Sequence, residues 1–159
     1  MIKLVRVLPE NRELLWNLHQ KYLYEMTKYY DNEMDENGNY HYGYFDAYFI
    51  QPERKAYFIY SDDRLAGFAM INPYSYIGAK PDHVLAEFTV FPAFRRMGIG
   101  MQAAQCILEV FPGSWEIKYN VKNTGAKCLW EGLTAQYSPV SYAYSENETV
   151  LAFSTEQQS

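Results

Sequence analysis

Val84-Leu85-Ala86-Glu87-Phe88-Thr89-Val90-Phe91-Pro92-Ala93-Phe94-Arg95-Arg96-Met97-Gly98-Ile99-Gly100 is the stretch on which the reading of this chain turns. Val84 to Phe91 is nearly all apolar, as in a central strand covered on both faces, and its one acid is Glu87. Pro92 stops the strand. A loop with two arginines and two glycines follows. Then Ala104, Ile107, Leu108 and Phe111 mark one face of a helix that Pro112-Gly113 ends. Strand, glycine loop and helix together are a recipe for holding phosphate. The first amides of a helix lack partners, its dipole favours an anion there, and glycine lets a ligand approach the backbone.

Two familiar phosphate loops do not fit. A P-loop ends in Gly-Lys-Ser/Thr, whereas Gly100 is followed by Met101-Gln102. Gly98 to Ala103 satisfies the relaxed dinucleotide pattern GxGxxA, but that pattern begins at a strand tip, and here Pro92 to Met97 intervene. Only 59 residues follow Gly100, too few for the rest of a doubly wound sheet.

Upstream, Ile2 to Leu8 alternates as a strand, and Leu15, Leu18, Tyr22, Met26 and Tyr29 draw a helical stripe with Asn11 as a plausible N-cap. Asp31 to Gly43 is polar and aperiodic, a loop around Asn37-Gly38-Asn39. Lys55–Tyr60 and Leu65–Asn72 form a hairpin about Ser61-Asp62-Asp63-Arg64. Downstream come a strand at Trp115–Val121, a helix at Thr124–Trp130 ended by Gly132, and a hairpin of Tyr137–Tyr144 with Thr149–Ser154. The tail from Thr155 to Ser159 is expected to fray. This order is a mixed α/β sheet.

At 159 residues, 48% apolar and 21% charged, the chain is one globular domain rather than a disordered or fibrous one. Its 14 Lys and Arg against 19 Asp and Glu argue against a general grip on nucleic acid or anionic lipid. No apolar run reaches membrane-span length and the start is too charged for a secretory signal, so the expected compartment is the cytoplasm. Cys106 and Cys128 lack metal-ligand spacing, His19, His41 and His83 are scattered, and the expectation is two buried thiols and no metal.

Arg95-Arg96-Met97-Gly98-Ile99-Gly100, preceded by Val90-Phe91-Pro92, resembles the acyl-CoA motif of the GNAT superfamily of N-acetyltransferases: Gln or Arg, two residues, Gly, one residue, then Gly or Ala. Asn120, Asn123-Thr124-Gly125-Ala126 and Gly132-Leu133 look like the family's second block, and the likeness runs from about Val84 to Gly132. The resemblance implies a single α/β (mixed α+β) domain over 1–159. Its mostly antiparallel sheet has six or seven strands and about four helices, and it is splayed at the acyl-CoA site. Residues 1–75 would form the acceptor-side half, 83–132 the acyl-CoA core and 136–154 the closing hairpin.

It also implies acetyl transfer from acetyl-CoA to a primary amine by direct attack in a ternary complex, with no metal. The alternative is a non-catalytic acyl-CoA sensor of the same fold. Carried over by position, the amides of Arg96, Met97, Gly98, Ile99 and Gly100 would hold pyrophosphate, with Arg95 in the same loop. Val90 or Phe91 would bond pantetheine through its backbone, Asn123 would touch the cofactor, and the Val90 amide would face the thioester carbonyl. For Arg95 and Arg96 the competing reading is a solvated surface pair.

Attack on a thioester needs a free amine, and a protonated alkyl amine has a pKa near 10. Glu87, buried in the central strand, would be raised towards a useful base; otherwise it faces solvent or pairs with an arginine. Where many family members carry a tyrosine acid, the register brings Leu129 and Trp130. Either the thiolate leaves unaided, or Tyr137 reaches in from the next strand. From Glu25 to Asp46 six acids stand against one base, Lys28, among Tyr29, Tyr30, Tyr40, Tyr42 and Tyr44. One reading is a site for a small cationic or peptide amine, such as a polyamine, an aminoglycoside or a lysine-like acceptor; the other is a solvated acidic loop. A homodimer is left open.

Overall fold

The alternation in the N-terminal half and the apolar run at Val84 resolve into one seven-stranded sheet. The computed structural model describes residues 1–156. The elements are β1 (Ile2–Arg6), α1 (Arg12–Met26), α2 (Ala47–Ile50), β2 (Lys55–Ser61), β3 (Arg64–Asn72), β4 (His83–Val90), α3 (Ile99–Val110), β5 (Ser114–Asn120), α4 (Thr124–Thr134), β6 (Val140–Ala143) and β7 (Glu148–Ser154). Strand order is β1-β2-β3-β4-β5-β7-β6, and every neighbouring pair is antiparallel except β4 with β5. Single domain, mixed sheet and four helices agree with the expectation.

The β2–β3 turn places Asp62 and Asp63 at φ 48° and 67°, the left-handed pair that matches the twist of a two-residue hairpin. α3 and α4 cover one face through Ala104, Ile107, Trp130 and Leu133, packed on Leu85, Trp115 and Ile117. α1 and α2 cover the other through Leu15 and Tyr48, over Phe58, Phe68 and Met70.

Several boundaries differ from expectation for local reasons. The first strand ends at Arg6, because Pro9 opens a short 3-10 turn, and Asn11 precedes α1 without a side-chain capping bond. α2, a single turn, is too short to show a period. Tyr137 is not on a strand: Ala135–Tyr137 prolong α4 as a 3-10 turn that ends at Ser138, φ 50°. Cys106 is half-buried and Cys128 exposed, so the expected buried pair is not found. Thr155 is pinned by its amide to the Gly113 carbonyl, 2.9 Å, and residues 157–159 of the expected frayed tail lie outside the described residues. Among the described residues no helix is long and apolar enough to cross a membrane, and no cluster of three metal-ligating side chains occurs.

Candidate active site

β4 and β5 pair only over His83–Leu85 and Trp115–Ile117, then part. A cleft of about 590 Å³ opens where they separate. It is walled by β4, β5, the start of α3, the end of α1 and one face of α4. Ala86 is the extra residue of a bulge between Glu87, opposite Met70, and Leu85, opposite Ile71, which bends β4 at the point of departure.

Backbone alternation decides which groups meet the cleft. The Phe91 amide donates to the Ala66 carbonyl, 2.7 Å, and its carbonyl accepts from the Phe94 amide, 2.8 Å, so the Phe91 N–H is committed to β3. Val90 and Phe88, one and three residues back, therefore turn their amides away from β3 towards the gap. Their side chains pack on the α3 and α4 side, where Phe88 meets Trp130 edge to face at 5.0 Å.

At the cleft's other end the glycine loop turns through Arg96, φ 64°, and Gly98, φ 76°, and the first helical bond is Gln102 to the Gly98 carbonyl, 3.1 Å. The amides from Gly98 to Met101 thus have no helical partner. Arg96, Gly98, Ile99 and Gly100 line the cleft, whereas the Met97 side chain is 64% exposed and points away. Arg95 also reaches the wall, but its guanidinium forks onto both Glu25 oxygens at 2.5 Å and its Nε donates to the Val90 carbonyl, 2.8 Å. It lies at the surface, 38% exposed, but is paired rather than free. This pair holds the Glu25 carboxyl below its ordinary range. Asn123 lines the cleft and accepts from the Ala126 amide, 3.2 Å, as the cap of α4.

On the α1 side, the same strands are polar. Glu87 lies beneath Tyr22 and Tyr42; burial raises its carboxyl to about 7, opposed by the Tyr22 hydroxyl, Lys118 and the Tyr42 hydroxyl. Glu87 is half-buried and meets the cleft through Tyr22 and Tyr30, which line it. Burial pushes the Tyr22, Tyr42 and Tyr76 hydroxyls upward, with the Glu87 charge next in cause, so they stay protonated donors at neutral pH. Tyr30 donates to Glu148 Oε2, 2.9 Å, and Lys118 Nζ stands 3.2 Å from the same oxygen. Against the upward push of burial, these contacts hold Glu148 below its usual range. Glu116 accepts from the Tyr76 amide, 2.8 Å, and fixes that ring over the site.

Other expectations fall elsewhere. Tyr137 stacks on Phe153 at 5.6 Å and does not reach the cleft wall. Leu129 and Trp130 do line it. Asp31, Glu33, Asp35 and Glu36 are exposed, and Asp35 accepts from the amides of its own turn at Asn37 and Asn39. Of the six acids between Glu25 and Asp46, Glu25 does line the cleft, bound to Arg95, and Glu87 and Glu148 add carboxylates from the strands behind the tyrosines. Tyr22, Tyr76, Lys118, Tyr119 and Glu148 were missed as site residues; strand alternation from Glu87 and Asn120 was the signal that could have found Lys118 and, across the ladder, Glu148.

A mixed sheet opened between two parallel strands, with a glycine loop at the mouth, defines an acyl-CoA-dependent transferase by class. The chain belongs to the acetyltransferase (GNAT) family, whose profile it matches over residues 12–152, and it is an acyltransferase of that type. No curated protein matches the sequence. Among solved structures it is similar to an acetyltransferase from Thermus thermophilus, at 15% identity and TM-score 0.69, with 97% of each chain covered. The ribosomal-protein-S18-alanine N-acetyltransferase from Escherichia coli is 11% identical, TM-score 0.65, with 100% of this chain and 97% of that one covered. Diaminobutyrate acetyltransferase from Paenibacillus lautus, solved with L-2,4-diaminobutyric acid and coenzyme A, is 13% identical, TM-score 0.62, covering 97% and 95%.

Proposed function

We propose that this protein transfers an acetyl group from acetyl-CoA to the primary amine of a small cationic acceptor of the polyamine, aminoglycoside or lysine-like kind, by direct attack within a ternary complex. The observation that carries this is the divergence of β4 from β5 beside a base raised to about 7. The loop amides of Arg96 to Gly100 receive pyrophosphate, and the pantetheine arm lies along the gap against the backbone amides of Phe88 and Val90. Asn123 flanks it at the next strand. The Val90 amide donates to the thioester carbonyl and stabilises the oxyanion that forms there.

The amine enters from the side of the tyrosines. The ammonium gives its extra proton to solvent water; as nitrogen bonds to the carbonyl carbon, Glu87 takes the second proton through one water, and the carbon–sulfur bond breaks. Trp130 has no proton to give in place of a tyrosine hydroxyl, and Tyr137 is remote, so the sulfur leaves as thiolate, acceptable for a thiol of pKa near 8.5. The other neighbours support the donor: one is solved with acetyl-CoA and another with coenzyme A.

The test is thermal unfolding with and without acetyl-CoA, beside thiol release with polyamines, aminoglycosides and lysine peptides. A midpoint that rises with the logarithm of cofactor concentration, together with release by one amine class, is the expected result. An unmoved midpoint would remove the loop's assigned role.

A further inference from the structure

One cation stands in the cleft with an aromatic cage already closed around it. Lys118 lies on the cleft wall, its ammonium 4.6 Å from the Tyr76 ring centre, 4.8 Å from that of Tyr144 and 3.2 Å from Glu148 Oε2. Two ring faces and a carboxylate are what a pocket for a substrate ammonium would present. Here the chain's own lysine fills it. Glu148 is further occupied by Tyr30 and Ser145, and Glu25 by Arg95. Glu116 is closed off at 1% exposure, bonded to Ser75 and the Tyr76 amide. Glu87, behind the cleft-lining Tyr22, is left as the nearby carboxylate that belongs to no ion pair among the described residues.

We propose that Lys118 determines acceptor specificity: the site takes an amine carrying a single ammonium, whose far end is neutral or anionic, and turns away diamines and polyamines. This rests on the transferase reading and narrows its acceptors to those such as a lysine side chain in a peptide, whose α-nitrogen is a neutral amide. A second ammonium in the cleft meets the Lys118 charge where the effective dielectric is well below that of water, so the repulsion is several-fold stronger than in solution. A carboxylate or amide in the same place meets N–H donors of Nζ, which has three and directs one at Glu148.

Three four-carbon probes separate the cases: butylamine, putrescine and γ-aminobutyrate. Thiol release by the wild-type protein should show kcat/KM for putrescine lower than for γ-aminobutyrate by about tenfold or more. Lys118→Met should bring the two within about twofold, and Lys118→Arg should keep the wild-type order. Putrescine equal to or better than γ-aminobutyrate in the wild type overturns the proposal, as does an unchanged ratio in a folded Lys118→Met protein. If Lys118→Met does not fold, the wild-type and Lys118→Arg orders decide. Calorimetric binding of the same probes to the coenzyme A-loaded protein distinguishes the two readings. The stated order of binding without turnover keeps the role of Lys118 and overturns transfer, whereas turnover with the reverse order does the opposite. Binding of none of the three overturns the proposal.

Discussion

The two faces of β4 and β5 carry opposite chemistry. Leu85, Trp115 and Ile117 turn one way into the core beneath α3 and α4. Glu87, Glu116, Lys118 and Asn120 turn the other way, beneath α1 and the tyrosines. Period-two alternation lets one strand serve both, because each successive residue changes face at no cost to the ladder. The apolar face holds the strands where they are. The polar face is reached from outside because the same strands part beyond Leu85 and Ile117 and leave a cleft between them.

The largest effect is expected from Glu87→Gln, which keeps the shape of the side chain and removes the carboxylate. Thiol release in the presence of a productive amine should fall by roughly 10²–10⁴-fold, with the acetyl-CoA shift in unfolding midpoint intact. In the unaltered protein, activity should rise with pH through about 7 as Glu87 loses its proton, and this limb should vanish in the variant. A variant within a few-fold of wild type would show that the polar face is not where the amine is deprotonated.

His19 provides a test of the α1 side that involves no catalysis. Its ring is fully buried among Tyr22, Tyr42, Phe45 and Phe68, with neither nitrogen bonded, and burial lowers its pKa to about 4. The unfolded chain takes up a proton near pH 6.5 that the folded one refuses. The His19 contribution is therefore whole above about 6.5 and is lost as pH falls towards 4, by ~3 kcal/mol. Denaturant titrations of His19→Phe should lack this part of the acid destabilisation; identical pH curves would show that the ring is not held dry.

Smaller effects separate the glycine loop from the acidic one. Gly98→Ala, forced to φ 76°, should cost about 1 kcal/mol of stability and weaken acetyl-CoA binding in a calorimetric titration. Glu33→Gln with Glu36→Gln should change kcat/KM for amines by less than about twofold, since exposed charges are screened by salt. A larger loss in that double variant would return the acceptor site to the loop.

That contrast also measures what the sequence could reveal. The glycine loop was legible because its role is written in adjacent residues: an apolar strand, Pro92, two glycines and a helix stripe. Glu87 was legible as the one acid of that strand. The rest of the site is assembled from positions far apart in the chain, Tyr22 and Tyr30 from α1 and the turn after it, Tyr76 from a loop, Lys118 from β5 and Glu148 from β7, and no local pattern joins them. The acids of 31–36 had the right composition and the wrong direction, because composition does not say where a side chain points. The choice between Val90 and Phe91 stood open for a similar reason: the Phe91 amide is spent on Ala66, and which backbone groups are free depends on the register with β3, which only folding sets.

The fork from Arg95 to Glu25 and the Val90 carbonyl has a mechanical meaning. Glu25 sits one helical turn after Tyr22, whose hydroxyl faces Glu87, so the glycine loop and the helix above Glu87 are fastened by a single side chain. An anion pulling on Arg95 also pulls on α1.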